Sequence, residues 1–311
     1  MKTWLALGFA LVTLGGCISY TVDEGWFFRP RAIADKAMRA EDMKLNGEEN
    51  LLAPGKFSED FGRIFPNFAK RIPAQLTHNF VDIGGQRIAV THVAGANAAP
   101  GESLIVACMG QTGDRRNSGL IYAAKLLPWG EALLIDYPGY GDSGGQPDLA
   151  SFSGFQKSLP AFLDKAAKDR PLILWGHSLG GPVCSAIAAG SREADAIVLE
   201  TTVPSFNEMM DARKPWFTPP TFDLQLKEGL EVYDIPTALA GFSGPVLVIG
   251  AGADSVLPVA QQRILAARLK AEGLAVTYVE TEQSEHLNAA LNTVFVEKAA
   301  PFFAGVADAR H

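Results

Sequence analysis

The chain has 311 residues, of which 48% are hydrophobic and 20% are charged, with 31 glycines and 19 prolines. These proportions are typical of globular domains and exclude extensive disorder or a fibrous protein. The formal net charge of −7 comes without any lysine- or arginine-rich stripe, which argues against nucleic acid as a partner. Three cysteines are too few for a disulfide scaffold and lack zinc-binding spacing, so we predict no metal site and no other cofactor.

The first residues have the pattern of a bacterial export signal. Lys2 gives a positive start, and the apolar run that follows (3–14) is shorter than the roughly 20 residues that span a bilayer. The run ends in LGGC (14–17), which resembles the lipobox of bacterial lipoproteins, where a signal peptidase cuts before a lipid-modified cysteine. The resemblance implies that residues 1–16 are removed, and that lipidated Cys17 tethers the protein to a membrane of the bacterial cell envelope. The alternative is a plain secretory signal in which Cys17 is incidental.

The two cysteines that follow, Cys108 and Cys184, each lie in an apolar run. We interpret both as small, separate core residues. Export from the cytoplasm would permit a disulfide, but nothing in their spacing requires one.

The segment after the signal has scattered aromatic residues and a patch rich in glycine, proline and asparagine. We interpret residues 17–79 as a spacer and an arm on the catalytic body, with a charged helical stretch at 31–44. The catalytic domain is predicted to cover residues 80–311.

This domain alternates between strand and helix patterns. Gly84-Gly85 separates two short segments and predicts a β-hairpin. Apolar runs of buried-strand length follow at 104–109, 132–136, 172–175, 196–199, 246–250 and 275–280. Helical stretches lie near 118–127, 152–168, 179–190, 258–272 and 287–303. This alternation predicts an α/β fold with a mostly parallel sheet and helices on both faces. The proline- and aromatic-rich residues 203–236 predict a short cap over the carboxyl edge of the sheet.

The pattern Gly-x-Ser-x-Gly occurs twice, around Ser143 and Ser178. A nucleophile in this pattern needs a strand just before it and a helix just after it, so that the sharp turn lifts the hydroxyl off the sheet edge. Ser178 meets both conditions, since LILW precedes it and LGGPVCSAIAAG follows it. Ser143 is followed by Gln-Pro-Asp, which is typical of a loop, and we interpret residues 136–145 as a glycine-rich turn after a strand.

A serine hydroxyl needs an imidazole within hydrogen-bond reach to accept its proton. Of the five histidines, His286 is selected by elimination, since His78 and His92 precede the core strands, His177 is held beside the serine and His311 is the last residue. His286 lies in a polar loop before the last predicted helix, as the chain order Ser, Asp, His expects. A carboxylate must orient that imidazole. Asp254 directly follows the apolar run VLVIGAGA and is favoured, whereas Glu200, at the end of the strand after the Ser178 helix, is the rival.

Two backbone N–H groups are expected to stabilise the oxyanion of such a reaction. One is predicted to be that of Leu179, directly after the nucleophile. The other is expected from the loop at 110–113, and we favour Gln111.

From Phe80 to about Phe303 the chain resembles a serine hydrolase of the α/β-hydrolase superfamily. The segments LLIDYPGYGDSGG, LWGHSLGG, VLVIGAGADSVLP and SEHLN occur in the order of that superfamily. The first two are similar to a membrane-associated branch that includes acyl-protein and lysophospholipid hydrolases. Many members have His-Gly where this chain has Met109-Gly110, a departure that a backbone donor tolerates. The resemblance implies the α/β-hydrolase fold.

We therefore predict a lipid-anchored serine hydrolase that cleaves a small-molecule carboxylic ester or thioester through an acyl-enzyme. Ser178 is the predicted nucleophile, His286 the base and Asp254 the acid. A serine peptidase on the same fold is one alternative, because such a triad does not distinguish an amide from an ester. A tethered envelope binding module without activity is another. The aromatic residues of the predicted cap either favour an apolar acyl group or serve packing alone.

Overall fold

The computed structural model describes the structure of residues 18–30, 73–95, 102–191, 194–213 and 222–309. The predicted signal segment, the predicted lipidation site Cys17 and the charged stretch at 31–44 lie outside these ranges, as does the middle of the predicted cap.

The central element is a sheet of eight strands in the order β10-β9-β7-β6-β4-β5-β3-β2. Its strands are β2 (Pro73–Ile83), β3 (Gln86–Gly95), β4 (Leu104–Cys108), β5 (Glu131–Ile135), β6 (Leu172–His177), β7 (Ala194–Glu200), β9 (Val246–Ala251) and β10 (Val276–Thr281). Within this sheet, β3 alone runs in the opposite direction to the other seven strands. The carboxyl ends of the other central strands therefore meet at one edge.

The helices cover both faces of this sheet. They are α1 (Arg115–Leu126), α2 (Leu149–Ala167), α3 (Gly180–Ala188), α4 (Phe206–Arg213), α5 (Ile235–Ala238), α6 (Ala260–Ala271) and α7 (Thr293–Asp308). Buried side chains of α2, α3 and α6 pack on one face, and those of α1 and α7 pack on the other. In the described ranges, no helix combines the length and the apolar character needed to cross a bilayer.

The predicted hairpin is present between β2 and β3. Gly84 and Gly85 have φ angles of 64° and 74°, the left-handed geometry that a two-residue turn of this kind requires. The first strand begins at Pro73, seven residues before the predicted start of the catalytic domain. The strand lies at the sheet edge, and its residues 77–80 are exposed, so they lack the apolar pattern that identifies a buried strand.

Part of the predicted arm packs closely against the body. Strand β1 (Ile18–Val22) pairs in parallel with β8 (Phe222–Leu226) in a second, two-stranded sheet. Phe27 and Phe28 follow and are buried, and their rings stack on Phe206 of α4 and Phe152 of α2 at centroid distances of 4.0 and 3.8 Å. Residues 18–30 therefore contribute to the hydrophobic core.

The interpretation of Cys108 and Cys184 as separate core residues is wrong, because the two form a disulfide. Cys108 ends β4 and Cys184 lies in α3, and their Cα atoms are 5.7 Å apart although 76 positions separate them in sequence. Helix α3 follows β6, the neighbour of β4, and packs back across both strands. The spacing of the two cysteines in the sequence could not predict this disulfide, because the contact depends on the order of the strands in the sheet.

Candidate active site

Ser178 lies in a sharp turn between β6 and α3. Its φ angle is 55°, in the left-handed region that residues with a side chain seldom adopt. The strained backbone is held because the Ser178 N–H donates to the Glu200 carbonyl at the end of β7, at 2.9 Å. Strand, strained serine and helix follow one another as the nucleophile turn of a serine hydrolase requires.

The glycines on either side of this serine are needed for space. A Cβ atom at Gly180 would lie 1.9 Å from the Cys108 carbonyl oxygen, and one at Gly176 would lie 2.5 Å from the Gly180 carbonyl oxygen. Any side chain at these positions would push α3 away from the ends of β4 and β6.

Asp254 and His286 are in direct contact. The Nδ1 atom of His286, in the loop after β10, lies 2.7 Å from Oδ2 of Asp254, which follows β9. The other Asp254 oxygen accepts the N–H groups of Val256 and Leu257, each at 2.8 Å. The Asp254 side chain is fully buried, and its N–H donors fix the carboxylate. With its Nδ1 hydrogen donated to Asp254, His286 keeps Nε2 available as a proton acceptor.

No hydrogen bond joins the Ser178 hydroxyl to His286 in the described part of the chain, but the residue before Ser178 contacts His286. His177, the residue before Ser178, donates from Nε2 to the His286 carbonyl at 2.9 Å, and the two imidazole centroids are 4.9 Å apart. Among the described residues, the Ser178 hydroxyl has no hydrogen-bond partner. In free enzymes, catalytic hydrogen bonds are often long and tighten only when substrate binds.

The predicted oxyanion donors flank the same spot. A Cβ atom at Gly110 would lie 3.6 Å from Cβ of Ser178, so the loop after β4 passes directly beside the serine. Within the described part of the chain, the backbone N–H groups of Gln111 and Leu179 donate to no other atom. Both groups are therefore free to bind an anionic oxygen.

The Gln111 side chain fastens this loop to the N-terminal arm. Its Nε2 atom donates to the carbonyl oxygens of Trp26 and Phe27, at 2.8 and 3.0 Å. The hydroxyl of Tyr140 donates to the Gln111 carbonyl at 3.0 Å. Nothing in the sequence around residues 26–27 predicts this contact, since the arm contributes carbonyl groups and not a recognisable side chain.

Glu200, the rival acid, has a different environment. Its side chain is fully buried, forms an ion pair with Lys125 at 2.8 Å and accepts the Trp175 indole N–H at 2.9 Å. The Lys125 ammonium and the Trp175 indole neutralise and bind this carboxylate beneath the sheet edge. Asp254, and not Glu200, is the carboxylate in contact with His286.

Ser143 lies in the turn after β5, as predicted. Its hydroxyl donates to the Asp136 carbonyl at 2.8 Å and accepts the Ala89 N–H at 2.9 Å. The hydroxyl thus holds the turn against β3.

His177 is buried in the site and uncharged. Burial lowers the pKa of His177 well below its usual range, and the nearby positive charge of Lys125 lowers it further. Since the His286 carbonyl can only accept, the hydrogen of the neutral ring is on Nε2. Our sequence interpretation treated His177 only as a histidine excluded from the role of base.

Two aromatic residues of the predicted cap pack in the core. Phe206 and Tyr233 are buried and stack on each other at 4.5 Å, while Trp216 and Phe217 lie outside the described residues. Val256 and Leu287, which are close in sequence to Asp254 and His286, are 51% and 54% exposed. The described residues contain no cluster of three metal-ligating side chains.

Comparisons with known proteins support the fold. A family model described as the alpha/beta hydrolase family matches residues 117–228, which include Ser178. The chain is 27% identical over 187 residues to an uncharacterized protein of Mycobacterium tuberculosis, a match that covers 59% of this chain and 63% of that protein. It is 28% identical over 139 residues to the lysophosphatidylserine lipase ABHD12 of Danio rerio, covering 40% of this chain and 36% of the lipase. The matches thus span less than two thirds of either relative.

Among solved structures, an esterase of Pyrococcus furiosus is similar with a TM-score of 0.54. The likeness covers 75% of this chain and 90% of the esterase at 14% identity, and it establishes the fold alone. The chain has the α/β-hydrolase fold. The predicted fold class is confirmed.

Proposed function

We propose that the protein is a serine hydrolase that cleaves carboxylic esters or thioesters. The observation that carries this proposal is the Asp254–His286 hydrogen bond, at the same sheet edge as the strained turn of Ser178. The candidate nucleophile, base and acid follow three different strands whose carboxyl ends meet at this edge, and acyl transfer needs these three groups together.

In the first half of the reaction, Ser178 Oγ attacks the acyl carbon while His286 Nε2 takes the hydroxyl proton. The carbonyl oxygen becomes an oxyanion and accepts the N–H groups of Leu179 and Gln111. When the bond to the leaving group breaks, His286 returns the proton to the leaving oxygen or sulfur. Asp254 keeps the imidazole in the correct tautomer and stabilises its positive charge.

In the second half, water attacks the acyl-enzyme. His286 accepts a proton from the water, the bond between Ser178 Oγ and the acyl carbon breaks, and the proton passes to Ser178. The products are a carboxylic acid and the free enzyme, and no cofactor enters the sequence of steps.

An acyl group or leaving group with apolar character suits this site. Val256 and Leu287, each within two residues of Asp254 or His286, expose apolar side chains, and we propose that these contact the substrate. The partial similarity to a lysophosphatidylserine lipase also supports an amphiphilic ester.

The test combines a fluorophosphonate probe with p-nitrophenyl esters of graded chain length and peptide substrates. We expect labelling of Ser178 and the highest kcat/KM on esters. Labelling together with faster peptide cleavage would indicate a peptidase. No labelling and no turnover would support a binding module and contradict the proposal.

We further propose that Cys17 carries the lipid that tethers this hydrolase in the bacterial envelope. The sequence at 1–17 supports this, and the Cys108–Cys184 disulfide fits an oxidising compartment outside the cytoplasm. In cells, wild type should incorporate labelled palmitate and fractionate with membranes, whereas Cys17→Ser should not be labelled. A soluble, unlabelled wild-type protein that starts at another residue would contradict the anchor.

A further inference from the structure

A buried chain of hydrogen bonds connects the two sides of the site. The Gly110 N–H donates to the Tyr122 hydroxyl at 3.0 Å, and that hydroxyl lies 3.0 Å from His177 Nδ1. His177 Nε2 continues the chain to the His286 carbonyl, 2.9 Å away. The chain therefore runs from the residue before Gln111 to the residue proposed as the base.

The direction of every hydrogen in this chain is determined. Because Nε2 of neutral His177 donates to a carbonyl, its Nδ1 has no hydrogen and must accept from the Tyr122 hydroxyl. Burial raises the pKa of Tyr122 above its usual range, which keeps that hydroxyl protonated. The phenol oxygen can then accept the Gly110 N–H. Each of the three groups has one arrangement that satisfies its neighbours.

We propose that Tyr122 and His177 are positioning residues. They fix the loop after β4, which carries Gln111, relative to the loop after β10, which carries His286. The inference rests on the proposed function, since it concerns the same site. Tyr122 fixes the backbone of Gly110, and thereby the N–H of Gln111 that follows it. His177 fixes the carbonyl of His286, and thereby the place of its imidazole relative to Ser178.

Two further contacts support this assignment. Thr201 Oγ1 also donates to the His286 carbonyl, at 3.0 Å, so two donors converge on this one oxygen. A Cβ atom at Gly110 would lie 3.2 Å from His177 Nδ1, so the loop lies against the imidazole edge with no room to shift inward. A small displacement of either loop would change the distance between nucleophile, base and oxyanion donors.

Substitutions at His177 separate its two hydrogen bonds. The glutamine amide in His177→Gln reaches the position of Nε2 and can still donate to the His286 carbonyl. The shorter side chain in His177→Asn reaches only the position of Nδ1 and loses that donor. We therefore expect His177→Asn to lower kcat by about 10- to 100-fold, the effect of small misplacements on acyl transfer, with KM little changed. His177→Gln should recover most of that loss.

Tyr122→Phe tests the other end of the chain. It leaves the Gly110 N–H and His177 Nδ1 without partners, and we expect kcat to fall by about 10-fold or more with KM little changed. Tyr233→Phe is the matched control. Tyr233 is as buried as Tyr122, and its hydroxyl donates to Gln156 Oε1 at 3.1 Å, outside the chain of hydrogen bonds from Gly110 to His286. It should lower the melting temperature and leave kcat unchanged.

The full-length protein is assayed on one p-nitrophenyl ester, with kcat, KM and melting temperature measured for each variant. Equal kcat in His177→Asn and His177→Gln, or wild-type kcat in Tyr122→Phe, would overturn the positioning role. An increase in KM at constant kcat would overturn it too, since it would indicate a role in binding substrate. Ser178→Ala, measured in parallel, distinguishes the two proposals: if that variant keeps wild-type activity, the proposed function itself has failed.

Discussion

The two Gly-x-Ser-x-Gly segments of this chain have the same pattern and opposite environments. The Ser143 hydroxyl both donates to and accepts from the backbone, whereas the Ser178 hydroxyl has no partner among the described residues. Helix α3 begins two residues after Ser178, while α2 begins six residues after Ser143. The pattern permits a sharp turn, but the next element decides whether the serine hydroxyl stays without a partner at the sheet edge or is bound by its own loop.

The two turns are also held by different forces. Asp136 and Asp142, which precede Ser143 in its turn, accept hydrogen bonds from the guanidinium of Arg115, so charges hold that turn. The turn of Ser178 is held by backbone hydrogen bonds, by close glycine packing and by the disulfide to Cys184. Removing single contacts should therefore have different effects in the two places.

The largest effect is expected when each serine loses its hydroxyl. Ser178→Ala should lower kcat by about 10⁵- to 10⁶-fold, as expected for a catalytic nucleophile, and should leave the fold intact. Ser143→Ala should keep most of the activity but destabilise the protein by about 1–3 kcal/mol, because the Ala89 N–H loses its acceptor. Steady-state kinetics and urea unfolding measure the two effects. An inactive Ser143→Ala beside an active Ser178→Ala would reverse the assignment.

The sequence predicted the turn of Ser178 better than its surroundings. Buried parallel strands are continuous apolar runs, so β6 and β9 were found to within two residues, and the serine, acid and histidine follow from chain order. The disulfide and the Tyr122–His177 contact depend on which strands are neighbours, and no local pattern encodes that. Polar and apolar residues follow no regular period in the N-terminal arm, so its contact with Gln111 could not be predicted.

The next effect compares the two carboxylates near Ser178. Asp254→Asn should lower kcat by about 10⁴-fold, because an amide can hold His286 in the wrong tautomer. Glu200→Gln should affect folding first, since it leaves the buried ammonium of Lys125 without its counter-charge, a loss of about 3–5 kcal/mol. Activity per folded molecule, measured alongside unfolding, separates the two. A mild Asp254→Asn and an inactive but stable Glu200→Gln would move the acid to Glu200.

The disulfide tests how far the Ser178 turn depends on a covalent link. Replacing both Cys108 and Cys184 by alanine should lower the free energy of unfolding by about 2–4 kcal/mol. We expect the folded fraction to keep its activity, because the hydrogen bonds of β4 and β6 still hold the two elements together. The control is Ser185→Ala, which removes a neighbouring buried hydrogen bond in α3 and should cost about 1 kcal/mol. An unchanged stability of the double variant would contradict this expectation.

The smallest effect is a loss of stability at acidic pH that depends on His177, the residue before Ser178. The pKa of His177 is lowered by burial in the folded state, whereas in the unfolded chain it returns to the ordinary value of about 6.5. Below that pH the unfolded chain binds a proton that the folded protein does not. The free energy of unfolding should therefore fall as the pH decreases, by up to about 1.4 kcal/mol per pH unit, and should not change on this account above neutral pH.

The variant His177→Gln cannot bind this proton but keeps the other histidines, so the difference in stability between wild type and variant isolates the contribution of His177. Urea unfolding at pH 7.5, 6.5, 5.5 and 5.0 should show wild type losing stability relative to His177→Gln on acidification. Parallel curves over this range would mean that His177 is protonated as easily in the folded protein as in the unfolded chain, and would remove the basis for a single fixed tautomer beside Ser178.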